Sequence, residues 1–203
     1  REGFDPAATR TGPFAGVSGT APVPLMRQEG EYAYFEGSDH QVVELPYGGG
    51  AFAMTLVLPG EGVDPGTFVQ GLDAAWWRST TGQLRTAEGT VVLPRFRMEY
   101  KRSLVSDLQA LGMTDAFDDA RADFTGIADA PPRLVITDVL QKTFVAVDEV
   151  GTEAAAVTSV EVGVTSAPVR FLFQADRPFL FVLRERLSGT VLFVGLVRDA
   201  PQG

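Results

Sequence analysis

The sequence predicts an α+β fold in which β-structure dominates. Many runs rich in Val, Ile, Thr and Phe are punctuated by Gly and Pro, whereas helical patterns are few and short. Strands and helices also lack the regular alternation of a parallel βαβ fold. With 203 residues, 45% hydrophobic and 21% charged, the chain suits one domain with a sizeable core.

From Arg1 to Pro24 the chain is rich in Gly, Pro, Ala and Thr, which predicts an irregular segment with one short strand near Thr11–Ala15. Strands are predicted over Leu25–Phe35, Gln41–Tyr47 and Ala51–Leu58, and Gly48-Gly49-Gly50 joins the last two as a hairpin connection. Asp64-Pro65 opens a helix, and Asp73 caps a second that carries Trp76 and Trp77 as core-packing residues. Thr90–Tyr100 reads as strand, with Pro94 marking a bulge or an edge because proline lacks a ladder donor. Over Ser103–Leu111, Leu104, Leu108 and Leu111 share one helical face, and Gly112 stops the pattern. Thr114 to Pro132 is a polar connector, and Arg133–Glu149 predicts a long strand. Val169–Gln174, Pro178–Arg186 and Thr190–Arg198 complete the set. The last two, around Leu187-Ser188-Gly189, are apolar enough to predict a hairpin buried on both faces.

The net charge of −9 makes nucleic acid and anionic membranes poor partners, since both would repel the chain. No run approaches the length of a membrane-spanning helix. With no Cys, thiol catalysis, disulfides and zinc–thiolate sites are excluded. The sole histidine, His40, closes Gly37-Ser38-Asp39-His40. Three consecutive residues point different ways, so this reads as a turn with a solvated histidine rather than a catalytic triad. Asp115, Asp118, Asp119 and Asp123 lack calcium-loop spacing and read as a solvated acidic loop. No catalytic residue, metal site or cofactor is expected.

One stretch has divided preferences: Glu149-Val150-Gly151-Thr152-Glu153-Ala154-Ala155-Ala156 begins like a helix, and Val157 to Val164 is β-branched. Numbered by parity, Thr152, Ala154, Ala156, Thr158, Val160 and Val162 fall on one side of a strand. Glu153 and Glu161 fall together on the other. Small side chains at 154–156 could be buried under a sheet at little cost, where a large or charged one would clash or stay unsatisfied. A short helix and an ordinary surface loop that happens to alternate remain open as alternatives.

Asp148-Glu149-Val150-Gly151-Thr152-Glu153-Ala154-Ala155-Ala156 closely resembles the hinge that precedes the reactive-centre loop of serpins. The similarity extends along the chain: Phe4-Asp5-Pro6 with Thr9, Pro24-Leu25-Met26, Leu93-Pro94-Arg95-Phe96, Arg177-Pro178-Phe179-Leu180-Phe181 and Val194-Gly195 all resemble family blocks in the right order. The resemblance implies a serpin-like multi-sheet fold with an exposed reactive-centre loop. Residues 1–203 would form the C-terminal portion of a single serpin domain, without its N-terminal helices and first strands, with hinge and loop over 149–168. It implies a suicide-substrate inhibitor of serine proteases, not an enzyme, whose cleaved loop inserts into the large sheet. Its hinge would be Glu149, Gly151, Thr152, Glu153, Ala154, Ala155 and Ala156, and its reactive bond Thr165–Ser166, with Val164 as the alternative acyl residue.

No Lys or Arg lies between residues 143 and 169, which argues against a trypsin-like target and for an elastase-like or subtilisin-like one. The implied partners are that protease and a companion N-terminal serpin segment, in an extracellular setting. Gln141 departs from the His that many members carry near this point. A non-inhibitory serpin, acting as a binding or chaperone module, is the alternative reading; a hydrolase has only Ser38-Asp39-His40 in its favour.

Overall fold

The computed structural model describes residues 3–127, 134–149 and 170–201. It divides into two compact units, Arg1–Phe96 with Val147–Gly203, and Arg97–Ala146.

The first unit is an eight-stranded sheet. Its strands are β1 (Arg10–Gly16), β2 (Gly19–Glu36), β3 (His40–Tyr47), β4 (Phe52–Pro59), β5 (Arg85–Pro94), β8 (Phe171–Gln174), β9 (Phe179–Glu185) and β10 (Val191–Val197). Their order is β10-β9-β4-β3-β2-β5-β8, with β1 paired to β2. Pairing is antiparallel except between β5 and β8, which run parallel. The Gly- and Pro-rich start is more regular than its composition predicts, because Pro13 and Pro22 face each other on the β1–β2 pair at the sheet margin, where proline is tolerated. Gly48, Gly49 and Gly50 all take positive φ, and they make the predicted β3–β4 connection.

One sheet face buries Phe14, Met26, Tyr32, Leu93, Phe96, Phe173, Phe179 and Phe181. Phe179 meets both Phe14 and Phe96 edge to face, at centroid distances of 6.5 and 5.8 Å. On the other face Val42, Val57 and Leu180 are aligned by register and covered by Phe68, Val69, Leu72 and Trp76. Those residues belong to, or adjoin, α1 (Pro65–Gln70) and α2 (Ala74–Gly82). The first helix opens at Asp64-Pro65 and Asp73 caps the second, both as predicted; Asp64 is itself a cap, and the two carboxylates accept from Thr67 N and Trp76 N at 2.7 Å each. His40 overturns the expectation of a solvated histidine. It opens β3 and is only 9% exposed, because its ring packs among Phe35, Phe68 and Trp76.

A polar bolt crosses this sheet. Glu44 on β3 is 4% exposed and accepts from Thr55 Oγ1 at 2.9 Å and from Arg184 Nε at 3.0 Å; Arg184 Nη2 donates to the same oxygen. Burying a carboxylate this deeply is costly unless it is paired and hydrogen-bonded in this way.

The hairpin predicted to be buried on both faces is so only in part. Phe179, Leu180, Phe181 and Val182 of β9 are buried, but β10 is the last strand of the sheet among the described residues and leaves Val191, Leu192 and Val194 exposed. Apolar runs do not distinguish an interior strand from a terminal one.

The second unit contains α3 (Val105–Ala110) and, apart from Phe96 and Val147 at their ends, β6 (Phe96–Ser103) and β7 (Leu140–Val147). The predicted strand Thr90–Tyr100 is therefore two strands, parted at Arg95, and Pro94 ends β5 rather than bulging it. The predicted strand over 133–149 is regular only in β7; upstream, Ile136 N donates to Ala116 O of the connector instead of a strand partner. The helix expected over Ser103–Leu111 is shorter, with Leu111 84% exposed beyond its end and Gly112 at φ 96°. In the acidic connector Arg121 bridges Asp115 and Asp118, while Asp123 accepts from Thr125.

Candidate functional site

The predicted hinge and reactive segment is bracketed by two roots. Of its named residues only Glu149 is described. Gly151, Thr152, Glu153, Ala154, Ala155, Ala156, Val164, Thr165 and Ser166 lie outside the described residues.

The N-terminal root is a buried carboxylate. Asp5 caps a short 3-10 turn over Pro6–Ala8, accepting from Ala7 N at 2.9 Å, and the turn delivers Thr9. Arg95 sits at the break between β5 and β6, its backbone N bonded to Pro24 O at 3.0 Å. Thr9 Oγ1 and Arg95 Nη2 both donate to Glu149 Oε1 at 2.6 Å. The Glu149 side chain is 5% exposed and that of Arg95 41% exposed, so the acid is buried while the base still reaches water. The Arg95 hydrogen bond holds the Glu149 carboxyl well below its ordinary value, at about 2, with Thr9 adding to the effect against the cost of burial. Arg95 Nε is buried without a partner among the described residues, so the guanidinium reaches Glu149 through one terminal nitrogen.

Immediately before this carboxylate runs β7. It pairs with β6 along one edge; among the described residues no strand occupies its other edge. From β7 the chain enters a segment whose alternate residues are small or aliphatic. In unit two, Tyr100, Leu140 and Phe144 are half exposed, a concentration of apolar surface on this small sheet.

The C-terminal root is β8. Arg170 Nε lies 3.3 Å from Glu88 Oε2, and Phe171 opens the strand opposite Gly89 of β5. The Phe171 ring stacks on Tyr34, with centroids 3.9 Å apart and planes 6° from parallel.

The alternative constellation does not assemble a nucleophile. Asp39 Oδ1 lies 2.7 Å from His40 Nδ1, but His40 Nε2 is buried with no hydrogen-bond partner among the described residues, so Ser38 is not activated by it. Among the described residues no group of three or more His, Asp or Glu could hold a metal ion, and no helix is long and apolar enough to cross a membrane.

Thr9 and Arg95 are legible as parts of sequence blocks, but not as partners of Glu149. Those blocks do not reach Phe171 or Gly89, although a glycine inside a strand pattern is the usual mark of a close approach.

Comparison with known proteins agrees with the geometry. The family model described as Serpin (serine protease inhibitor) matches residues 1–200. An uncharacterized serpin-like protein of Thermococcus kodakarensis is 38% identical over 98% of this chain and 47% of its own length. Antithrombin-III of Mus musculus is 38% identical over 97% of this chain and 43% of its own length. The crystal structure of native protease nexin-1 with heparin superposes with a TM-score of 0.80 at 29% identity, covering 98% of this chain and 53% of that one. The chain thus spans about half the length of the curated relatives it matches. A β-dominant sheet with this strand order, a hinge-like segment rooted at a buried Glu149 and a family match across nearly every residue lead to one conclusion: the chain belongs to the serpin family.

Proposed function

We propose that the protein carrying this chain is a suicide-substrate inhibitor of serine proteases. The protease serine attacks the carbonyl of the reactive bond; an acyl ester forms, and the new amino terminus on the far side departs. The freed hinge side then folds back onto the sheet as an added strand before water can hydrolyse the ester. The observation that carries this reading is the pattern of the segment that follows β7, Asp148 and Glu149: alternate residues over 152–162 give it one small, buriable side. A segment with that pattern is suited to strand addition. Loop insertion is a general property of this family and a standard example of strand addition. What this chain adds is the fitness of residues 152–162 for it, with small or aliphatic side chains on one side and both carboxylates on the other.

The reactive bond is assigned to Thr165–Ser166, with Val164 as the alternative acyl residue. Glu149, Gly151, Thr152, Glu153, Ala154, Ala155 and Ala156 form the hinge. Uncharged, small neighbours suit an elastase-like or subtilisin-like pocket. A companion N-terminal segment supplies the strands and helices that cover the apolar surface of β6, β7 and β10, in keeping with relatives about twice as long. The setting is extracellular.

The test is incubation of the intact protein with elastase, subtilisin and trypsin, followed by denaturing electrophoresis. Stable covalent complexes with either of the first two are expected; a complex with trypsin alone overturns the target assignment. Cleaving the loop and then measuring the melting temperature separates the alternative. A large rise accompanies insertion, whereas an unchanged value indicates a passive loop and a non-inhibitory binding module.

A further inference from the structure

The C-terminal root has a construction of its own. β8 is four residues long and, among the described residues, pairs with β5 alone. Two of its rings point to the same side: Phe171 opposite Gly89 and Phe173 opposite Val91. Phe173 is fully buried in the core, at the end away from the reactive segment. Phe171 is the ring nearest that segment, and its seat is specific. A Cβ at residue 89 would lie closer than 3.0 Å to Phe171 Cδ1, Cε1 and Cγ, so only glycine leaves the slot open. Tyr34 closes the slot by stacking, and Tyr32 meets the ring edge to face at 6.1 Å. Gln41 Nε2 donates to Tyr34 Oη at 2.9 Å and to Leu172 O at 3.2 Å, tying the lid of the slot to the backbone of β8.

We propose that Phe171, seated over Gly89 and under Tyr34, is a positioning residue that fixes where the reactive segment joins the sheet and so which peptide bond is presented to a protease. This deepens the inhibitor reading and rests on it. Without the Phe171 seat the next anchor is Phe173, two residues on. At about 3.3 Å per strand residue, that releases roughly 7 Å of slack into the segment. Slack of that size is enough to slide a neighbouring bond into a protease cleft that grips residues on both sides of the cut.

The experiment uses the intact protein and subtilisin, with mass spectrometry of the released C-terminal fragment. Wild type is expected to be cut at one dominant bond. Phe171→Ala is expected to spread cleavage over two or more bonds and to speed amide exchange across β8 at least tenfold. Gly89→Ala, which leaves Phe171 in place but fills its slot, is expected to do the same. Gly89→Ala combined with Phe171→Val, a smaller side chain for a smaller slot, is expected to restore the single cut. If Phe171→Ala does not fold, Gly89→Ala and the double variant decide the question. An unchanged cut site with unchanged exchange in the single variants overturns the proposal, as does a wild-type protein already cut at several bonds. Failure of the inhibitor reading shows elsewhere, as the absence of a covalent complex with wild type, while the cleavage map still reports on the seat.

Discussion

The two ends of the proposed reactive segment are fastened by opposite kinds of chemistry. At Glu149 the fastening is electrostatic: two donors converge on one buried oxygen, and the acid has given up almost all contact with water. At Phe171 it is steric: an aromatic ring fills a slot kept open by a missing side chain. A charge clamp of this kind responds to protons and to removal of a partner. A packed ring responds to a single methyl group and ignores pH. Under the proposed inhibitor mechanism the N-terminal root would let go of its loop conformation while the C-terminal root holds register, and the two chemistries suit those two tasks.

The largest effect that would sharpen the contrast is Arg95→Ala. It leaves the buried Glu149 carboxylate with Thr9 and a backbone N–H as its donors, and the largest loss of stability in this set is expected. The temperature of thermal unfolding should fall furthest in this variant. Gly89→Ala overpacks the other root and should cost about 2 kcal/mol by denaturant unfolding, with no dependence on pH. Glu149→Gln is milder, at about 1 kcal/mol, since the amide still accepts from Thr9 and the freed guanidinium turns to water.

Acid does to Glu149 what that amide does. The carboxyl's folded value of about 2 lies below its ordinary 4.5, so its contribution is complete above the ordinary value. It is lost as pH falls from there through about 2. A pH series of unfolding curves should show this loss in wild type and not in Glu149→Gln; identical acid profiles would erase the distinction between the roots. The smallest effect is Tyr34→Phe, which keeps the stack and loses the hydroxyl bonds to Gln41 and Glu36, for less than about 1 kcal/mol.

Local chemistry is legible in the sequence where a residue's role depends on its neighbours. The caps at Asp64 and Asp73, the three-glycine connection and the stop at Gly112 each follow from one or two side chains and a backbone preference. Roles set by distant partners are not. His40 looks solvated because the turn before it is polar, yet α1 and α2 bring Phe68 and Trp76 over its ring. β10 reads like β9 because both are apolar; which of them lies outermost among the described strands is a property of topology. The proposed hinge rests on its small residues alone, whereas the Thr9–Glu149 bond joins positions 140 residues apart, and no period in the sequence encodes it.

The Glu44–Thr55–Arg184 bolt spans the same separation of 140 residues between its charged members. On a ribosome, Glu44 and the apolar flank of β4 emerge long before β9 arrives to complete them. The edge of β4 that β9 pairs with therefore stays unfilled until β9 is made. A nascent chain stalled before Arg184 would hold an acid meant for the interior with no base to meet it, and would depend on whatever cellular machinery shields unfinished strands.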